Sequence, residues 1–182
     1  MTWFFRKNER KYLIISTLIF CVAWAAFYFG LGSLFAGSLE AGSMEDLYQG
    51  ESFFSLFGNN LLHCLVCAAG FGILSVPMLI FDAASIGISG VAFRFFGGSF
   101  GQYLALLLPH CIFEIPALLL SCACGLKLFT ILRGYIGGKK EGYKEQLLEL
   151  AKSLIIVFVL VLIAALVEAY LTPIIAKAVI DG

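Results

Sequence analysis

The charged residues along this chain leave long gaps. No Asp, Glu, Lys or Arg occurs at 12–39, 52–81, 95–113 or 153–167. A membrane-spanning helix needs roughly 20 mostly apolar residues, and each gap can hold one. The pattern predicts helices over about 12–34, 53–75, 78–96, 102–124 and 153–172. Alternation at period two is absent, so a closed barrel is not expected. The expected fold is all-α: a polytopic helical membrane protein of five transmembrane helices, forming a single domain over 1–182.

Asp82 interrupts the third segment, Gly87 and Gly90 loosen it, and Arg94 stands near its end. A re-entrant hairpin is the alternative there, and the basic residues decide against it. Lys and Arg gather in short cytoplasmic loops. Arg6, Lys7, Arg10 and Lys11 precede the first span, and Lys127, Arg133, Lys139, Lys140, Lys144 and Lys152 separate the fourth from the fifth. Glu40, Glu45, Asp46 and Glu51 follow the first span with no basic neighbour. Five crossings, N-terminus inside and C-terminus outside, place ten of the twelve basic residues in the cytoplasm. The first apolar run outlasts the roughly 7–15 residues of a signal-peptide core and lacks an A-x-A site, so an uncleaved signal-anchor is expected. Residues 126–152 are expected to form a wet or interfacial helix, with Glu141–Lys144 and Glu149–Lys152 at helical pairing distance.

Composition reinforces the membrane reading. Hydrophobic residues make up 61% and charged residues 13%, with mean hydropathy +0.98 and formal net charge +0. Average soluble domains carry about 45–50% apolar and about 25% charged residues. A soluble fold of this size could not hide so much apolar surface, and without a basic surplus no nucleic acid is expected as partner. Membrane lipid is.

Against that background the polar residues inside the spans stand out, because a charge near the bilayer centre costs about 2.5–3.5 kcal/mol on insertion scales. The second span carries Asn59, Asn60 and His63. The fourth carries His110 and Glu114, between Pro109 and Pro116. The fifth carries Glu168, followed by Thr172 and Pro173. Each proline removes an amide donor and strands the carbonyl four residues earlier. The fourth helix is therefore expected to kink, freeing the carbonyls of Ala105 and Ile112 for donors such as the Asn pair and His63. On this structural reading the six polar residues order the bundle through interhelical hydrogen bonds of about 0.6–2 kcal/mol each. A transport site is the second reading, since broken helices with mid-membrane carboxylates bind ions, although no internal repeat is visible. A metal or hydrolase site from His63, His110, Glu114 and Glu168 is the third; the chemistry suits zinc, but no H-E-x-x-H occurs and His-x3-Glu is a weak pattern. Neither catalytic residue, metal nor cofactor is expected.

Cys21, Cys64, Cys67, Cys111, Cys122 and Cys124 all fall in predicted spans, where cysteine behaves as a small apolar residue. Glycines such as Gly70, Gly72, Gly87 and Gly90 suit close helix packing. The stretch 97–101 is expected to be a tight outer turn.

Asn59-Asn60, the string Leu108-Pro109-His110-Cys111-Ile112-Phe113-Glu114-Ile115-Pro116-Ala117, and Glu168-Ala169-Tyr170-Leu171-Thr172-Pro173 resemble, in order, the signature of the stage II sporulation protein M family. Family members commonly have Gly where Cys111 stands. The resemblance implies a non-enzymatic protein of the cytoplasmic membrane. Such a protein scaffolds peptidoglycan-remodelling enzymes, a lytic transglycosylase and an amidase/endopeptidase, in sporulation engulfment or a related envelope process. The outer segments 37–51 and 97–102 would then be the places to touch those partners. The alternative is a small-solute or ion transporter or channel subunit, for which a homo-oligomer would be needed to build a path.

Overall fold

The computed structural model describes residues 10–31, 34, 52–138 and 142–180. Among these residues the structure is helical and contains no strand. Helix α1 spans Arg10–Ala26 and runs into a π-helical turn, Phe27–Leu31. Helices α2 (Phe53–Ala69), α3 (Ser75–Phe95), α4 (Phe100–Ile136) and α5 (Tyr143–Leu166) follow. A second π turn, Val167–Leu171, carries α5 into α6, Thr172–Ile180.

Among the described residues, four stretches are long and apolar enough to cross a membrane: Arg10–Gly30, Ser75–Phe95, Phe100–Ile136 and Tyr143–Val179. Helix α2, at 17 residues, is apolar but shorter, about 26 Å at ~1.5 Å per residue. The sequence pattern carried this helix on to residue 75. It stops at Ala69 because Gly70, Phe71 and Gly72 turn the chain, with φ of 48° at Phe71 and 73° at Gly72. Ser75 fastens the turn, donating to the Cys67 carbonyl at 2.6 Å and accepting from the Gly72 amide at 3.1 Å. Pro77 then sits in the first turn of α3, where a missing amide costs least.

The other boundaries have equally local causes. Ser52 caps α2 by accepting from the Ser55 amide. Ser99 and Gln102 form a reciprocal capping box at the start of α4, as the chemistry of such pairs favours. Gly97, at φ 89°, closes α3 while the Gly98 amide reaches back to the Phe93 carbonyl at 3.0 Å.

Helix α4 is the axis of the bundle. It packs against α1, α2, α3, α5 and α6. Contacts at its two ends set the neighbours antiparallel to it. Near its C-terminal end Lys127 pairs with Glu149 of α5 at 3.0 Å, and Thr130 accepts from the Tyr12 hydroxyl of α1 at 2.9 Å. At its N-terminal end Gln102 donates to the Val179 carbonyl of α6 at 3.2 Å. Residues 102 and 127 are separated by about 38 Å of helix, enough for a hydrocarbon core of ~30 Å. The polar stretch expected to be one helix before the last span is thus the extended ends of α4 and α5, and Glu149 is paired with Lys127 of α4.

Small residues bring the backbones together. Fully buried Cys64, Cys67, Leu79, Ala83, Ala117, Cys122, Val157 and Val161 form the core, while Ile14, Leu18, Val22, Phe54, Leu62, Ile112 and Ile155 face outward, as lipid-facing residues do. Gly125 lies where α4 crosses the α2–α3 turn. A Cβ there would sit 2.7 Å from the Cys67 carbonyl oxygen and collide with the Ser75 side chain. Gly125→Val is therefore expected to cost about 1–3 kcal/mol, read as a lower melting temperature in detergent. Gly58→Ala, where an added methyl meets nothing within 4 Å, should leave it unchanged or raise it.

Candidate intramembrane polar site

Most of the polar residues of the spans are half-buried, and Asn59 is exposed. His63 on α2 faces Asp82 on α3, with Nε2 3.0 Å from Oδ1. Both side chains are largely shielded, 30% and 14% exposed. The approach is off the hydrogen-bond axis, and Asp82 Oδ2 is buried with no hydrogen-bond partner among the described residues. The contact is best described as an ion pair whose strength rests on charge more than on alignment.

Glu114 of α4 lies within electrostatic range of Glu168, Asp82 and His63, so helices α2, α3, α4 and the second π turn converge on it. His110, one helical turn earlier, and Cys111 share its neighbourhood: one potential ligand atom from each of His110, Cys111 and Glu114 falls within 4.8 Å of the others. Spacing explains this. Glu114 is four residues from His110 and three from Cys111, the separations that place helix side chains side by side. Cys111 is 3% exposed and also feels the charges of Glu114 and Glu168.

Glu168 reaches this level because the last helix does not end at residue 172. It continues through Thr172 and Pro173 to Ile180, which puts Glu168 about 16 Å along the axis from the Gln102–Val179 contact. Glu114 lies about 18 Å from the same end. Pro173 cannot donate an amide hydrogen bond, and the helix widens just before it: the Thr172 amide reaches the Val167 carbonyl, and the Thr172 hydroxyl donates to that same oxygen at 3.4 Å. π turns of this kind re-aim side chains and recur at functional sites. Pro109 and Pro116 sit inside one continuous helical stretch, Phe100–Ile136.

Of the residues singled out in the sequence, His110 lies beside Glu114, and His63 and Glu168 fall within electrostatic range of Glu114. Asn59 is exposed and Asn60 half-buried, and neither joins the His63–Asp82 pair. Two participants were overlooked. Asp82 read as a blemish in a weak span, although a carboxylate among apolar residues already asks for a partner. Cys111 read as filler, although it adjoins His110 and precedes Glu114 by three.

Comparison with known proteins gives two results. The family described as Stage II sporulation protein M matches residues 14–173, which includes every residue of this cluster. Two relatives from Methanocaldococcus jannaschii, both named as uncharacterized proteins, are each 34% identical to the chain. One aligns over 130 residues, 69% of this chain and 73% of its own length; the other over 127 residues, 68% of this chain and 56% of its own length. No solved structure matches.

The His63–Asp82 contact makes a quantitative prediction. In a double-mutant cycle with His63→Ala and Asp82→Ala, the double variant should lose less stability than the sum of the single losses. A coupling of about 0.6–1.7 kcal/mol is expected, the range measured for polar contacts between membrane helices, read from reversible denaturation in micelles. Additive losses would mean that the pair does not interact.

Proposed function

The chain belongs to the stage II sporulation protein M family, and from that premise we propose that it is a non-enzymatic, multi-pass protein of the cytoplasmic membrane that scaffolds cell-wall-remodelling enzymes. The partners are a lytic transglycosylase and an amidase/endopeptidase, and the process is sporulation engulfment or a related envelope event. The observation that carries this reading is the family match across 14–173, which takes in the polar cluster and all of the bundle but its two ends. On this reading α2 crosses together with the four longer stretches, the N-terminus lies inside and the C-terminus outside, and α4 bends at Pro109 and Pro116. The cluster of His63, His110, Glu114 and Glu168 serves to hold the helices in one arrangement, and partners touch the outer segments 97–102, at the start of α4, and 37–51, which lies outside the described residues.

A transport subunit is the second reading. It is favoured by one specific observation, the gathering of Glu114, Glu168 and Asp82 between helices. Two measurements separate the readings. Affinity purification of the tagged full chain from its native membrane should recover a wall-degrading enzyme, and proteoliposomes holding the chain should leak ions no faster than empty ones. Recovery of no wall hydrolase, with rapid flux, would reverse the assignment.

Topology is tested separately. Single cysteines placed at 45 and at 139, in a chain cleared of its native thiols, should be labelled by an impermeant maleimide from the outer face and only after permeabilisation, respectively. Labelling of both from one side would contradict the five-crossing arrangement.

A further inference from the structure

We propose that His110, Cys111 and Glu114, with Glu168 of the last helix within electrostatic range, form a binding site for a divalent transition-metal ion of the zinc class. It does not depend on the scaffold reading, since it needs only the bundle.

Three observations on the structure lead there. The first is donor geometry. Ligand atoms of His110, Cys111 and Glu114 lie within 4.8 Å of one another. Around a tetrahedral ion with bonds of ~2.0–2.3 Å, neighbouring donors are about 3.4–3.7 Å apart, so side-chain rotation of roughly 1 Å closes the set. The second is an orphan atom: His110 Nδ1 is buried with no hydrogen-bond partner among the described residues, and a buried polar atom of this kind calls for an ion or water to satisfy the ring. The third is the π turn that carries Glu168 to the same level, close enough that its charge acts on both Cys111 and Glu114. That puts a carboxylate of a second helix within electrostatic range of the set, where side-chain movement would bring it to a fourth position.

Charge and donor softness select the ion. A thiolate, two carboxylates and a neutral imidazole around a dication sum to −1, so the ion offsets most of the donors' own charge in a low-dielectric site where an uncompensated charge is costly. The mixed nitrogen, sulfur and oxygen set favours zinc-like metals over magnesium or calcium, which prefer oxygen alone. On binding, the Cys111 thiol gives up its proton to solvent as the metal–sulfur bond forms. The sequence alone weighed His63 in place of Cys111. The structure instead commits His63 to Asp82 and leaves the α4 donors to the metal.

The test uses the full chain in detergent. Zinc content is read by mass spectrometry, and cobalt(II) is titrated into the metal-free protein while thiolate-to-cobalt charge-transfer absorption is followed. About one ion per chain and a charge-transfer band are expected. Cys111→Ser, close in size, should abolish the band; His110→Ala and Glu168→Gln should each weaken cobalt binding at least about tenfold. Cys21→Ser, at an exposed thiol on α1, should change nothing. Circular dichroism and gel filtration report folding, and if Cys111→Ser fails to fold, the Glu168→Gln titration decides. A wild-type chain that takes up neither ion overturns the proposal. So does a band that survives Cys111→Ser, or an affinity indifferent to Glu168→Gln.

Discussion

A charged side chain in hydrocarbon has no water to fall back on, so its partner must come from another helix. Here His63 and Asp82 meet that constraint for each other. Asp82 faces His63 across α2 and α3, and Glu114 on α4 shares a field with both and with Glu168 on the last helix. Apolar packing cannot set the register of these helices by itself, since lipid tails are as apolar as Leu or Val. Polar partners can. Sliding α2 past α3 by one turn, ~5.4 Å, would leave a carboxylate and an imidazole stranded in oil.

What the polar groups fix in register, small residues fix in distance. Gly87 lies against the Trp24 carbonyl of α1, Gly90 against the Tyr103 and Tyr28 rings, and Gly125 against the α2–α3 turn. The Tyr103 hydroxyl donates to the Ile86 carbonyl at 2.6 Å and meets Ser89 at 3.1 Å, a polar tie between α3 and the N-terminal end of α4. Polar ends at Lys127–Glu149 and Gln102–Val179 then hold the long α4–α5–α6 pair antiparallel over the thickness of a bilayer. Pro173 and the π turn before it belong to the same design: the missing amide is absorbed by widening, and the widening turns Glu168.

Much of this was legible in the residues. Charge-free gaps located the apolar helices, and the His110–Glu114 spacing placed both side chains on one helix face. The family resemblance rested on strings that the match over 14–173 covers. What escaped was set by contacts between segments distant in sequence. The end of α2 at Ala69 depends on a turn fastened by Ser75, a tertiary use of a serine that no periodicity announces. The continuation of the last helix through Pro173 depends on a π turn, and proline ordinarily argues for an ending. The pairing of Asp82 with His63 joins residues 19 apart on two helices, and nothing local to either names the other.

The convergence of α4 and the last helix on one half-buried polar cluster is the claim from which the rest follows. It is tested most directly by cysteines at 114 and 168, in a chain whose native thiols are replaced, treated with a short bifunctional thiol crosslinker in membranes. Rapid crosslinking of this pair, with none between cysteines at the outward-facing positions Ile112 and Leu166, is the predicted result. Crosslinking at 112 and 166 with none at 114 and 168 would show that the carboxylates point apart, and the account would be wrong.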